Sequence, residues 1–201
     1  LRRMLDASDN EAANRLLVSL GGSTSGGGHL VDGLMRSIGL ERTVMYGGYI
    51  LGTSLDASRE IASRGVPVTV VDQPAWGIGK ATTAADLALL SRTIWLAGGG
   101  LGPLAGDRSG VSPAEARYLL YVLAHVRDRG KLGRFVEGRP GTIVLHKAGW
   151  IDPARHDAGL VVWHGGIFVA AVLTYDGAGA GTRSDVLAGR VAQAALRRFR
   201  G

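Results

Sequence analysis

The sequence holds no cysteine among its 201 residues, which removes cysteine catalysis, iron–sulfur clusters, thiolate-bound zinc and disulfide staples at once. Its longest apolar runs, residues 167–173 and 119–124, fall far short of the roughly 20 residues that a bilayer-spanning helix requires. Lysine is almost missing too: Lys80, Lys131 and Lys147 stand against 20 arginines, and the arginines are dispersed except for Arg197, Arg198 and Arg200. The formal charge of +6 therefore forms no basic stripe interleaved with stacking aromatics, and nucleic acid is not the expected partner. Aromatic residues make up only 6% of the chain, but 46% is apolar and 20% charged, the profile of a globular domain. A chain of this length buries roughly 70% of its unfolded surface and needs no metal or disulfide to fold. It opens on Leu-Arg-Arg-Met-Leu without an initiator methionine, which reads as a fragment or processed form.

Polar cap formers at Ser8-Asp9-Asn10 give way to a helix-compatible run over 11–20 that stops at Gly21-Gly22. Leu30, Leu34 and Ile38 predict a helix over 29–38, ended by Gly39. Residues 40–81 are irregular, with a strand-like patch at 66–71. Thr82-Thr83 launches a helix over 84–97 with Leu87, Leu90, Ile94 and Trp95 on one broad face, broken by three glycines. Ser112-Pro113-Ala114-Glu115 is a capping box with proline in the first turn, followed by Tyr118, Leu119, Val122 and Val126.

After Gly141 the period changes, and β-branched runs at 142–146, 159–163 and 167–175 predict an antiparallel meander with a turn at His164-Gly165-Gly166. A final helix over 182–199 carries Val186, Val191, Ala194 and Leu196. The expectation is an α+β fold in one domain spanning 1–201, mainly helical over 1–140, with the sheet strands and last helix over 141–201.

Several signatures fail on spacing. Residues 76–81 lack the first glycine of a phosphate loop and place Ala81 where a hydroxyl should follow the lysine. Residues 98–103 put Pro103 where a dinucleotide fingerprint needs its last glycine. No two of the five histidines form a metal-binding pair four apart around a glutamate, and no G-x-S-x-G elbow exists, so neither a zinc site nor an α/β-hydrolase triad is expected. His156-Asp157 reads as a polar turn before a strand.

Two short motifs remain: Ser8-Asp9-Asn10 at a helix start and Lys147-Ala148-Gly149 at the end of a strand. In that order, with helices between and a meander after, they resemble the second and third motifs of the penicillin-recognising serine hydrolases, which include class A β-lactamases and D,D-peptidases. The stretch from Ser8 through Leu17, the threonine-led stretch at 80–88, and His146-Lys-Ala-Gly-Trp-Ile with Ala154-Arg-His-Asp-Ala-Gly extend the likeness, most closely to the branch described as β-lactamase-like serine hydrolases. The resemblance implies a helical subdomain beside an antiparallel sheet flanked by a C-terminal helix, with the active site in the cleft between them.

Acyl transfer needs an activated hydroxyl, a proton route to the leaving nitrogen, and positive charge where negative charge develops. By resemblance, Ser8 relays a proton to the leaving nitrogen and Asn10 holds the substrate's side-chain amide. Lys147 anchors the substrate carboxylate, while Ala148 and Gly149 belong to the strand that lines the acyl pocket. The resemblance further implies a β-lactam or peptidoglycan-like substrate, no metal or organic cofactor, a penicillin-binding or antibiotic-resistance role, a monomer, and residence outside the cytoplasmic membrane.

The chain departs from the family pattern in three places. No serine has a lysine three positions on, so the family's nucleophile must lie upstream of Leu1, and residues 1–201 alone are expected to be inactive. Ala148 stands where a hydroxyl residue is usual, removing one donor to a carboxylate at a cost of about 1 kcal/mol. The carboxylates nearest to the place of a deacylating base are Glu60, 22 positions before Thr82, and Asp72, ten before it, and neither sits in a recognisable loop motif. Deacylation is then slow and the acyl-enzyme long-lived. The alternative reading is a non-catalytic module of the same fold that binds a peptide or carboxylate. Without upstream strands the sheet keeps an unpaired edge, and the isolated chain is expected to aggregate.

Overall fold

A computed structural model describes residues 1–45, 47–49, 80–105 and 110–200. The patch at 66–71 and the carboxylates Glu60 and Asp72 lie outside the described residues. The chain forms two compact units, Leu1–Asp86 and Leu87–Gly201.

The first unit begins with α1 (Arg2–Asp6), α2 (Asn10–Gly21) and α3 (Thr24–Ser37). Helix α2 starts where the polar tripeptide predicts and buries Ala13, Asn14 and Leu17. Helix α3 starts five residues earlier than the leucine spacing predicts, because Ser23 caps it by accepting the Gly26 N–H at 2.9 Å. Of the expected stripe, Ile38 at the helix end is buried but Leu30 is 53% exposed, and the buried positions within the helix are Gly27, Gly28 and Asp32. A side chain at Gly27 would put a Cβ 2.1 Å from the Leu17 carbonyl, so glycine is what lets the two helix backbones touch. Strands β1 (Val44–Met45) and β2 (Lys80–Ala81) pair antiparallel, Met45 opposite Lys80. Buried Asp86 ties the chain before β1 down, accepting the Arg42 N–H at 3.0 Å and the Thr43 hydroxyl at 2.8 Å.

Helix α4 (Ala84–Gly98) opens at Thr83, whose hydroxyl accepts the Asp86 N–H. In the second unit, α5 (Pro113–Leu123) carries the predicted capping box in full, with Ser112 and Glu115 each satisfying the other's backbone N–H. It buries Ala116, Leu120 and Val122 and leaves Tyr118 exposed. A short 3-10 helix, Leu132–Phe135, precedes the sheet.

Strands β3 (Thr142–Ile151), β4 (Ala154–Trp163) and β5 (Gly166–Tyr175) form an antiparallel meander in the order β3-β4-β5, followed by α6 (Thr182–Arg200). Val144, Val161, Trp163, Phe168 and Ala170 pack one face of the sheet against Leu132, Val136 and the Ala192 and Leu196 of α6. Leu145 and Leu160 on the other face meet Leu120 of α5, with Ile94 and Leu123 beside them. Each large apolar side chain so buried contributes about 1.5–3 kcal/mol. The inward stripe of α6 is Asp185, Ala188, Gly189, Ala192, Gln193 and Leu196, so of the four expected positions only Leu196 is fully buried; Val191 is exposed.

Candidate active site

Asp9 is the cap of α2: its Oδ1 accepts the Ala12 N–H at 2.9 Å, and its Oδ2 accepts Arg3 Nε at 2.9 Å and Nη2 at 2.5 Å. The Ala12 hydrogen bond, helped by Arg3 and opposed by desolvation, holds the Asp9 carboxyl below the usual range. The middle residue of the tripeptide is thus structural. Its neighbours are exposed, Ser8 in the link from α1 and Asn10 as the first residue of α2. Ser8 has φ of +52°, the one non-glycine residue in the left-handed region among those described. A side chain there carries a strain of about 1–3 kcal/mol that the surrounding structure must hold.

One helical turn beyond Asn10, buried Asn14 clamps a distant segment, donating to the Tyr49 carbonyl at 2.8 Å and accepting the Tyr49 N–H at 2.6 Å. Lys80 reaches the same segment, donating to the Gly48 carbonyl at 2.6 Å and standing 4.7 Å from the centre of the Tyr49 ring. Burial lowers the Lys80 ammonium to about 8 and pushes the Tyr49 phenol up. Sequence reading missed this cluster; its only signal is a second asparagine four residues after Asn10 on a face that is otherwise apolar.

In the second unit, Lys147-Ala148-Gly149 lies inside β3 rather than at a strand end, because the strand continues to Ile151. Lys147 is opposite Ala158, Ala148 opposite Asp157, and Gly149 opposite His156. The alternation of a strand puts Lys147 and Gly149 on the face of Leu145, and His146 and Ala148 on the face of Val144. Lys147 is half-buried and donates to the carbonyl of Ala148. Desolvation lowers its ammonium, with Lys131 adding to the effect and Asp128 and Asp157 opposing it.

His156-Asp157 is likewise not a turn. Both residues sit within β4, and Asp157 is fully buried. Its carboxylate accepts His146 Nδ1–H, which lies 2.8 and 2.9 Å from the two oxygens, and the Leu132 N–H at 2.9 Å. The partner of His146 across the strands is Gly159, where a Cβ would fall 2.1 Å from the Leu145 carbonyl and 2.6 Å from His146 Cα. Only glycine admits the imidazole at this place. Around the pair, buried Lys131 binds Asp128 and stands 4.0 Å from Asp185, which Arg155 meets at 3.3 Å. Burial also lowers the His156 imidazole. Among the described residues no group of three or more histidines and carboxylates could hold a metal ion, and no helix is long and apolar enough to cross a membrane.

Solved structures share this α+β arrangement. A β-lactamase from Sphaerobacter thermophilus superposes with a TM-score of 0.70 at 19% identity, over 98% of this chain and 61% of its own. PBP-A gives 0.68 at 22% identity, over 99% and 59%. A PBP-A mutant in an acyl-enzyme complex with penicillin G gives 0.63 at 22%, over 98% and 60%. The fold is therefore that of the β-lactamases and penicillin-binding proteins, and the chain spans about three-fifths of the length of these structures. A family profile described as Beta-lactamase enzyme family matches residues 1–199, and the chain belongs to that family. No curated protein sequence matches it.

Proposed function

We propose that this chain is the larger part of a single β-lactamase-like domain, a serine hydrolase that cleaves a β-lactam or a related amide or ester through an acyl-enzyme. Its nucleophilic serine lies upstream of Leu1. The observation that carries the reading is Ser8, a serine in the right motif held at a strained φ of +52°, since strain of this kind is retained where a side chain must be aimed. Membership of the family supports the same assignment.

In this mechanism the Ser8 hydroxyl passes a proton to the leaving nitrogen, and Asn10 holds the substrate's amide. Lys147 anchors its carboxylate beside Ala148 and Gly149. The hydroxyl that Ala148 lacks weakens that anchor, and an acyl-enzyme without an efficient base for its hydrolysis persists. The substrate is a small β-lactam or peptidoglycan-like molecule met by a monomer outside the cytoplasmic membrane.

The test is intact mass spectrometry of the full-length protein after exposure to benzylpenicillin. The expected result is a stoichiometric mass increase, with acylation slowed about 100-fold or more in Ser8→Ala and in Lys147→Ala. A folded protein that gains no mass overturns the acyl-enzyme. Saturable binding without mass gain would instead establish the non-catalytic peptide- or carboxylate-binding module that Ala148 favours.

A further inference from the structure

Lys80, Lys131 and Lys147 are the lysines of the chain, and their surroundings differ. Lys131 is 3% exposed and binds Asp128, so losing its proton would break a buried ion pair. Lys147 is half-buried, with Asp128 and Asp157 opposing the desolvation that lowers its ammonium. Lys80, also partly buried, has no carboxylate partner among the described residues. Asp86, six positions on, is occupied by the Arg42 N–H and the Thr43 hydroxyl. Strand β1, paired with Lys80, is Val44–Met45 and brings no ionisable group. Around the Gly47–Tyr49 segment, α2 supplies Asn14 and α3 supplies Thr24 and Gly28, again none ionisable. Tyr49 is the one titratable neighbour, and burial pushes its phenol up, which keeps it neutral.

The amine is nonetheless fixed. Its Nζ donates to the Gly48 carbonyl at 2.6 Å and stands 4.7 Å from the centre of the Tyr49 ring. That carbonyl belongs to a tightly packed segment: Asn14 bonds both backbone groups of Tyr49, and a Cβ on Gly48 would fall 2.8 Å from Asn14 Oδ1 and 3.1 Å from Thr24 Cγ2. A neutral amine keeps two N–H donors, one of which still reaches Gly48, and gains a lone pair. Losing the proton therefore breaks no ion pair and gives up only the attraction of the ring, while desolvation favours the loss. Burial brings the Lys80 ammonium to about 8, so at pH 7.5 about a quarter of it is neutral, against about one in a thousand of an ordinary lysine. A desolvated lysine that carries its lone pair near neutral pH is an activated nucleophile.

We propose that Lys80 is a covalent modification site, a reactive amine that takes an acyl group from an activated ester or a β-lactam and keeps it as an amide. The lone pair of the neutral Nζ attacks the acyl carbon and an N–C bond forms. The bond from that carbon to the leaving oxygen or ring nitrogen breaks, and the proton lost by Nζ goes to that leaving atom. The site is distinct from the serine acyl-enzyme proposed above and does not rest on it.

The experiment treats the full-length protein with a limiting amount of N-hydroxysuccinimidyl acetate across the range from about pH 6.5 to about pH 10, and peptide mass mapping gives the acetylation rate at each of the three lysines. At about pH 7.5 Lys80 should react ahead of Lys147 and at least about tenfold faster than Lys131. Its rate, corrected for reagent hydrolysis, should level off above about pH 9, where an ordinary lysine still gains about tenfold per unit. Benzylpenicillin in place of the ester then identifies the donor. A ring-opened adduct on Lys80 that survives hydroxylamine marks the β-lactam as a source; acetylation without such an adduct marks small activated esters.

A Lys80 that reacts behind either of the other two lysines overturns the proposal in the wild-type protein, with no variant needed. So does a Lys80 rate that climbs in step with pH to the end of the range. The serine acyl-enzyme is read separately, as an adduct that hydroxylamine removes, so the loss of either kind of adduct leaves the other standing.

Discussion

Lys80 in the first unit and Lys147 in the second are both largely withdrawn from water, and burial lowers the ammonium of each, yet they rest on different surroundings. Beneath Lys80 are a backbone carbonyl and the face of an aromatic ring, dipole and quadrupole without a net charge. Lys147 donates to the Ala148 carbonyl, and the desolvation that lowers its ammonium is reinforced by Lys131 and opposed by Asp128 and Asp157. Burial beside a carbonyl and a ring brings proton release toward neutrality, whereas nearby carboxylates oppose that fall. A residue whose task is to attract an anion belongs in the second kind of place.

The sharpest way to break this contrast is Gly159→Ala. Its Cβ would collide with the Leu145 carbonyl and with His146, and backbone atoms have nowhere to retreat. A loss of at least about 3 kcal/mol is expected in urea unfolding, with the strand that carries Lys147 displaced.

Next comes Asn14→Ala, which leaves the N–H and carbonyl of Tyr49 without their partner. About 1–3 kcal/mol should be lost. The Lys80 titration should shift while that of Lys147 stays, which separates the two surroundings experimentally.

The smallest effect is a slope. Lys80 releases its proton near 8 when folded and near 10.5 when unfolded, so between these values the unfolded chain binds more protons and stability rises with pH. Lys80→Met should flatten about 1–2 kcal/mol of that rise, allowing for partial exposure to water, as read from unfolding midpoints between pH 7 and 11.

What could be read from the residues was whatever local chemistry decides. The capping box at Ser112 and Glu115 fixed the start of α5 because both partners lie within one turn. The start of α3 was hidden because Gly26, Gly27 and Gly28 look like breakers until a second helix is placed against them. The β-branched run after Gly141 announced β3, but its second half is Lys-Ala-Gly-Trp, which pairing with β4 holds extended rather than propensity.

The two site motifs stood out by order and resemblance. The left-handed backbone of Ser8 and the clamp from Asn14 to Tyr49 did not, since neither follows from spacing. Nor did the His146–Asp157 pair: two residues eleven apart meet only if the hairpin register is known, and a one-residue slip would send them to opposite faces.

That register also sets the order of assembly. Closing the hairpin between β3 and β4 brings His146 and Asp157 together across eleven residues, whereas Asn14 must wait for a segment 35 positions away. Short closures cost less chain entropy and form sooner. The buried His146–Asp157 pair is therefore laid down with the first turn of the meander, early in the life of each chain, and the clamp from Asn14 to Tyr49 is completed afterwards.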